Sequence, residues 1–216
     1  MQSEFWHNCW QQQRIGFHQH GIHPLLPVVL SQLNWQQSKT VFAPLCGKSL
    51  DLWWLARYGK VIGAELSELA CQQFFHEQQQ EFSISLQNEF QHFSHPAVDI
   101  WQGDFFALEP QQLGHIGLIY DRAALIALPA QMRIDYVQQI KRLCTAPVSL
   151  LLLSLEYPQA EMSGPPFSVT EQEVRSLFDF AESIQLLALR NLTGRPFAQR
   201  QFSVSNLVEK AFWIRW

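Results

Sequence analysis

Residues 41–67, VFAPLCGKSLDLWWLARYGKVIGAELS, restrict the fold of this chain more than any other stretch. Val41–Ala43 is a short apolar run closed by Pro44, which lacks an N–H and ends a strand ladder. Residues 49–58 follow with Leu50, Trp53, Trp54 and Leu55 at helical spacing, and Gly59 closes them. Residues 61–64 are the next apolar run, and Glu65 stands where it ends. The pattern predicts a βαβ unit, whose right-handed crossover brings the 44–49 loop and Glu65 to one edge of a parallel sheet. In such sheets a backbone loop meets one end of a nucleotide, and an acid about 20 residues on meets the ribose hydroxyls.

The rest of the chain continues the alternation. Residues 67–80 read as a helix with Ser67 as N-cap, and 98–101 as a third strand ending at Gly103-Asp104. Residues 115–120 are a fourth strand running into Asp121-Arg122, 130–143 are helical, and 148–155 form a fifth, central strand. After the Gly164-Pro165-Pro166 turn, 170–178 read as a helix with Glu171 and Glu173 in its first turn. Residues 184–192 and 211–216 are expected to pair antiparallel at the sheet edge. Before the βαβ unit, residues 4–35 read as two helical pieces broken near 14–19, the first with an apolar stripe of Phe5, Trp6, Cys9 and Trp10. The glutamine runs 11–13 and 78–80 are expected on exposed helix faces. The whole predicts an α/β doubly wound sheet in a single domain, 1–216, without internal repeats.

Composition excludes several classes of partner. At 216 residues and 47% hydrophobic, the chain can bury one substantial core. A net charge of −4 with no basic block argues against nucleic acid or an anionic membrane. Cys9, Cys46, Cys71 and Cys144 are scattered without a C-x-x-C pair, as in a reduced, cytoplasmic protein. MQSEFWHNCW lacks the basic-then-apolar run of a signal peptide, and the longest apolar run, 148–155, is strand-sized. No heptad pattern is evident, so a monomer is expected.

Gly47-Lys48-Ser49 invites a phosphate-loop reading, but that loop needs a glycine where this chain has Phe42, and Pro44 removes an N–H from any cradle. A dinucleotide site would want G-x-G-x-x-G, and the loop carries one glycine. S-adenosylmethionine has no phosphate and tolerates a bulkier loop; its ribose needs an acid, which Glu65 supplies. Glu65 could instead cap the next helix, although its place at a strand end favours the ribose. Asp104 and Phe105 follow the third strand where an adenine would lie, though taken alone an ordinary Gly-Asp turn is the better reading. Arg122 faces the same crevice and can hold a cofactor or acceptor by planar hydrogen bonds, with a structural ion pair as the competing reading. His18, His20 and His23 form H-x-H-x-x-H, but Pro24 follows and nothing completes a ligand set, so structural histidines rather than a metal are expected. Trp6 and Trp10 read as core anchors whose ring faces would also suit a sulfonium cation.

The segments FWHNCW, RIGFHQHGIHPLL, VFAPLCGKSLDLWWLA, GAELSELA, YDRAALIALP and GPPFSV together resemble the thiopurine S-methyltransferase family, particularly its bacterial members, over almost the whole chain. The resemblance implies a Rossmann-like class I methyltransferase sheet of seven mostly parallel strands, the last antiparallel, binding S-adenosylmethionine. It places Trp10, Leu45, Glu65 and Arg122 as cofactor contacts, with Asp104 and Phe105 near the adenine. Phe17 falls on a residue lining the acceptor pocket, and Arg195 on a second substrate-facing arginine. The implied reaction moves a methyl group to the sulfur of aromatic or heterocyclic thiols such as thiopurines; selenium or tellurium compounds, or oxygen and nitrogen acceptors, are the alternatives. Aromatic thiols ionise near neutrality, so no protein base is assigned, and Arg122 is the one candidate for a catalytic role. Residues 1–35, and 5–20 above all, are expected to form a helical lid. The rival classes are a kinase-like protein using Lys48 and a cofactor-retaining module without chemistry.

Overall fold

Residues 150–155 are buried without a break, and a strand buried on both faces must be covered by helices on both. The structure, a computed structural model, describes residues 3–33, 35 and 39–216. Its strands are β1 (Val41–Ala43), β2 (Val61–Glu65), β3 (Ser83–Gln87), β4 (Phe90–Ser94), β5 (Val98–Gln102), β6 (Leu118–Arg122), β7 (Ser149–Glu156), β8 (Ser183–Asn191), β9 (Pro196–Phe197), β10 (Arg200–Gln201) and β11 (Val208–Arg215). The helices are α1 (Ser3–Gln11), α2 (Leu25–Gln32), α3 (Asp51–Leu55), α4 (Glu68–His76), α5 (Pro110–Leu113), α6 (Ala130–Leu143) and α7 (Glu171–Leu177).

Among the described residues the main sheet has nine strands in the order β3-β4-β5-β2-β1-β6-β7-β11-β8. β1 runs parallel to β2 and β6, and the chain order reverses between β1 and β6. β11 inserts between β7 and β8, antiparallel to both. The two-residue side-chain period divides each central strand between two cores. Phe42, Ile119, Leu150, Leu152 and Phe212 pack on one side with Tyr136 and Ile140 of α6. Val41, Leu118, Leu151, Leu153 and Trp213 pack on the other with Val29, Leu52, Leu55 and Phe74 of α2, α3 and α4.

The doubly wound sheet with its antiparallel last strand is the expected one, widened from seven strands to nine. The addition is the β3–β4 hairpin at one edge, closed by Asn88-Glu89 with Asn88 at φ +54. Its alternating SISLQ is wholly exposed, so it lacks the unbroken apolar run that marks the buried strands. β1 rather than β7 takes the sheet's central place. α3 and α4 are shorter than expected, and residues 78–80 form an exposed turn after α4, with Gln79 at φ +53, rather than a helix face. Ser67 does cap α4, accepting from Ala70 N at 3.3 Å. Of the expected 1–35 lid, residues 1, 2 and 34 lie outside the described set.

The first loop lies directly on β2. A Cβ at Gly63 would stand 2.7 Å from Cys46 Sγ and 3.3 Å from Ile100 Cγ1. Gly63→Ala should therefore lower stability by about 1–3 kcal/mol through overpacking. A lower urea midpoint at unchanged slope would verify this; an unchanged midpoint would mean the loop can yield.

Candidate active site

The carboxyl ends of β1, β2, β5 and β6 open onto one crevice, at the switch point where doubly wound sheets bind ligands. Two non-glycine residues there have left-handed backbone: Leu45 (φ +47), just after β1, and Ala123 (φ +66), just after β6. Such conformations cost about 1–3 kcal/mol each and concentrate at functional sites. Gly47 is also left-handed (φ +55), and a Cβ there would stand 3.2 Å from Trp10 Cζ2.

Glu65 organises this loop from the end of β2. Its Oε2 accepts from Gly47 N at 2.8 Å and its Oε1 from Ser67 N at 2.8 Å, while Cys46 N donates to Ala64 O at 2.9 Å. The residue is 6% exposed; burial raises its pKa, and the backbone N–H groups of Ser67, Gly47 and Leu66 act against that. Glu65 therefore ties the start of α4, as the capping reading has it, and lone pairs remain on a carboxylate that lines the cavity.

Arg122, at the end of β6, is anchored on one side only. Its Nε lies 3.0 Å from Asp51 Oδ2, an ion pair without the alignment of a directed hydrogen bond, and Nη2 donates to Ser49 Oγ at 3.3 Å. Nη1 is buried with no hydrogen-bond partner. Asp51, fully buried, also accepts from Tyr120 Oη at 2.9 Å and from His23 N at 2.7 Å. The structural ion pair and a free guanidinium edge are thus found in the same side chain.

The crevice encloses a cavity of about 730 Å³. Trp10, Phe17, Leu45, Glu65, Asp104, Phe105 and Arg122 all line it; Arg195 does not. Trp10 is 3% exposed and meets Phe17 edge-on at 5.5 Å, with Trp6 on Phe17 at 5.7 Å. Asp104 accepts from Phe106 N at 3.0 Å, capping a short turn, and Phe105 also packs into the core against Tyr136. Lys48 turns towards α4, its Nζ 2.9 Å from Gln73 Oε1 and 2.6 Å from Glu77 Oε1.

Sequence reasoning missed Ile126, Met132, Arg200 and Phe202, which close the cavity from the turn after β6, from α6 and from the β9–β10 hairpin. Arg200, five residues beyond Arg195, is the arginine this connection brings to the site. The histidine triplet disperses: His18 lines the cavity, whereas His23 is buried against Glu209, Nε2 to Oε1 at 2.9 Å. Among the described residues no three His, Cys, Asp or Glu side chains group as a metal cage.

The family profile of thiopurine S-methyltransferase matches residues 1–215. The chain belongs to the thiopurine S-methyltransferase family. Relatives carrying that name include proteins of Marinobacter nauticus, 41% identical over 98% of both chains, and Pseudomonas fluorescens, 41% identical over 100% of this chain and 99% of its own. A third, from Shewanella pealeana, is 46% identical over 82% of this chain and 81% of its own. Among solved structures, a SAM-dependent methyltransferase from Anabaena variabilis superposes with a TM-score of 0.64 at 12% identity, covering 99% of this chain and 95% of its own. Another, from Aquifex aeolicus, gives 0.56 at 12% identity over 99% of both chains. At these identities the solved structures establish the methyltransferase fold, and the full-length relatives establish the family.

Two outcomes follow from the polar groups of this site. Asp51→Ala strands the buried Arg122 and should cost about 3–5 kcal/mol, read as a fall in the urea midpoint. His18 is held neutral, its pKa lowered from 6.5 to about 4 by burial first and then by Lys48 and Arg122. The unfolded chain thus binds the extra proton between these values, and His18 withdraws stability as pH falls from 6.5 to 4. Imidazole nitrogen shifts followed by NMR should show His18 unprotonated at pH 5; a charged ring there would contradict the assignment.

Proposed function

We propose that the chain is an S-adenosylmethionine-dependent S-methyltransferase acting on aromatic and heterocyclic thiols such as thiopurines, from the following roles of its residues. The carrying observation is the pairing of a glycine-poor loop with the buried Glu65 carboxylate in a chain that the family profile matches over residues 1–215. That combination suits a donor with a ribose diol and no phosphates.

The residues fit such a donor. Glu65 keeps acceptor capacity for the ribose hydroxyls, each hydrogen bond to a charged group contributing about 1.5–3 kcal/mol. Asp104, with one oxygen engaged by Phe106 N, keeps the other for an adenine amine, and Phe105 borders the same region. The unpartnered Nη1 of Arg122 is a donor awaiting an anionic or carbonyl-like group. Leu45 presents backbone groups from a strained position, and Trp10 closes over Gly47. Phe17 stands beside Trp6 and Trp10 as the wall for an aromatic acceptor.

When bound, S-adenosylmethionine supplies a methyl group on a sulfonium, which a thiolate sulfur can take by in-line displacement. The protein's share is positioning and the exclusion of water. The edge-to-face cluster of Trp6, Trp10 and Phe17 covers the site with apolar surface, which favours an anion and a cation that cancel over the same charges kept apart. Holding the reactants in line supplies much of the remaining acceleration. Acidic thiols need no general base, and no residue of the cavity is assigned that role.

No described helix is long and apolar enough to cross a membrane. We place the enzyme in the cytoplasm as a single-domain monomer whose 5–20 segment is a lid that orders over bound donor.

At 100 times its dissociation constant, S-adenosylmethionine should add about 2.7 kcal/mol of stability, visible as a thermal shift that ATP and NAD do not produce. Glu65→Ala should abolish most of that shift; a shift with ATP alone would refute the donor assignment. Phe17→Ala should retain the shift and lose turnover of a thiol acceptor. Cleavage of the 5–20 segment by protease should slow when donor is added, and equal rates would eliminate the lid.

A further inference from the structure

His18 stands in the cavity wall with its backbone fixed and its ring free. Its N–H donates to Ile15 O at 2.8 Å, and its C=O accepts from Gln199 Nε2 of the β9–β10 connection at 3.1 Å. The residue is 7% exposed, and the ring meets His20 edge-on at 5.6 Å. Neither ring nitrogen has a hydrogen-bond partner among the described residues. Neither nitrogen belongs to the fully buried polar atoms left without partners, so both reach the cavity, where an occupant can hydrogen-bond them.

Its neutral state defines what that partner can be. A neutral imidazole offers one N–H donor and one lone pair, and can exchange which nitrogen carries the proton. Lys48, Arg122, Arg14 and Arg200, the cations around the same cavity, can only donate. A ring protonated only near pH 4 is a poor proton acceptor at neutrality, so a general-base role is disfavoured. A donor carboxylate would also choose the free edge of Arg122 over an uncharged ring.

Heterocyclic thiols present the complementary group. A ring nitrogen beside the sulfur-bearing carbon is an acceptor in the thiolate form and an N–H donor in the thione form. Imidazole can match either, and Phe17, the preceding residue, offers an aromatic face to the same ring. We propose that His18 is a specificity-determining residue that hydrogen-bonds the ring nitrogen adjacent to the acceptor's C–S bond, selecting N-heterocyclic thiols over carbocyclic ones. The proposal rests on the S-methyltransferase reading and adds the acceptor feature it discriminates. A site built around a hydrogen bond rejects analogues lacking that group far better than an apolar pocket does.

The test compares 2-mercaptopyridine with thiophenol, which have nearly the same shape. The kcat/KM for each is measured at pH 7.5 with S-adenosylmethionine for the native enzyme, His18→Leu and His18→Gln. Taking the ratio of the two acceptors within each protein cancels their intrinsic difference in reactivity. The heterocycle-to-carbocycle ratio should fall about tenfold in His18→Leu and recover in large part in His18→Gln, whose amide both donates and accepts. The dissociation constant of S-adenosylmethionine, measured by calorimetry, should change little in either variant. Equal losses on the two acceptors, or a weakening of donor binding that accounts for the loss, would overturn the proposal. If His18→Leu lacks a cooperative unfolding transition, His18→Phe, planar and without polar atoms, carries the same comparison. A native enzyme that binds the donor but methylates neither thiol would defeat the S-methyltransferase reading, and this proposal with it.

Discussion

The site depends on the two hydrogen bonds that Glu65 accepts from Gly47 N and Ser67 N. One carboxylate thereby joins the loop after β1 to the beginning of α4 and fixes both against the end of β2. Bonds of this kind, to a charged acceptor, contribute about 1.5–3 kcal/mol each, comparable to the cost of left-handed backbone at Leu45 and Ala123. Strained positions at a switch point persist because such bonds and the packing around them over-determine the geometry. Accepting two backbone bonds also leaves the carboxylate with lone pairs free for a ligand.

A second polar chain connects the crevice to distant parts of the fold. Asp51 holds Arg122 and Tyr120 and accepts from His23 N, while His23 Nε2 reaches Glu209 Oε1, whose Oε2 lies 2.7 Å from Arg190 Nη2. Nδ1 of His23 accepts from Leu25 N, so Nε2 is the nitrogen that carries the proton towards Glu209. The base of the N-terminal segment is thus rooted in the sheet by buried hydrogen bonds. Its tip is held by aromatic edges on Phe17 and by the 199–200 connection.

Much of the frame was readable because local chemistry and tertiary demand agree there. Pro44 ends β1, Ser67 caps α4, and the periodicity of residues 130–143 returns as α6 with the same limits. The β3–β4 hairpin escaped because its exposed SISLQ carries no burial signal; only the turn at Asn88-Glu89 and a two-residue alternation could have shown it. Arg200 escaped for a different reason. It sits in a connection whose composition says turn, and only the hairpin's fold over residues 16–18 brings it to the cavity. His18 was set aside as part of a triplet whose spacing resembled a metal motif, whereas its environment separates it from His23.

What the sequence determined alone was the alternation of buried strands with helices and the acid at the end of β2. These follow from backbone periodicity and from Pro44 closing the first strand, all local properties. Tertiary structure alone decided which side chains share the cavity, which edge of Arg122 is left without a partner, and that burial lowers the pKa of His18. Those outcomes depend on burial and on charges brought together from positions far apart in the chain, quantities that no spacing along the chain encodes.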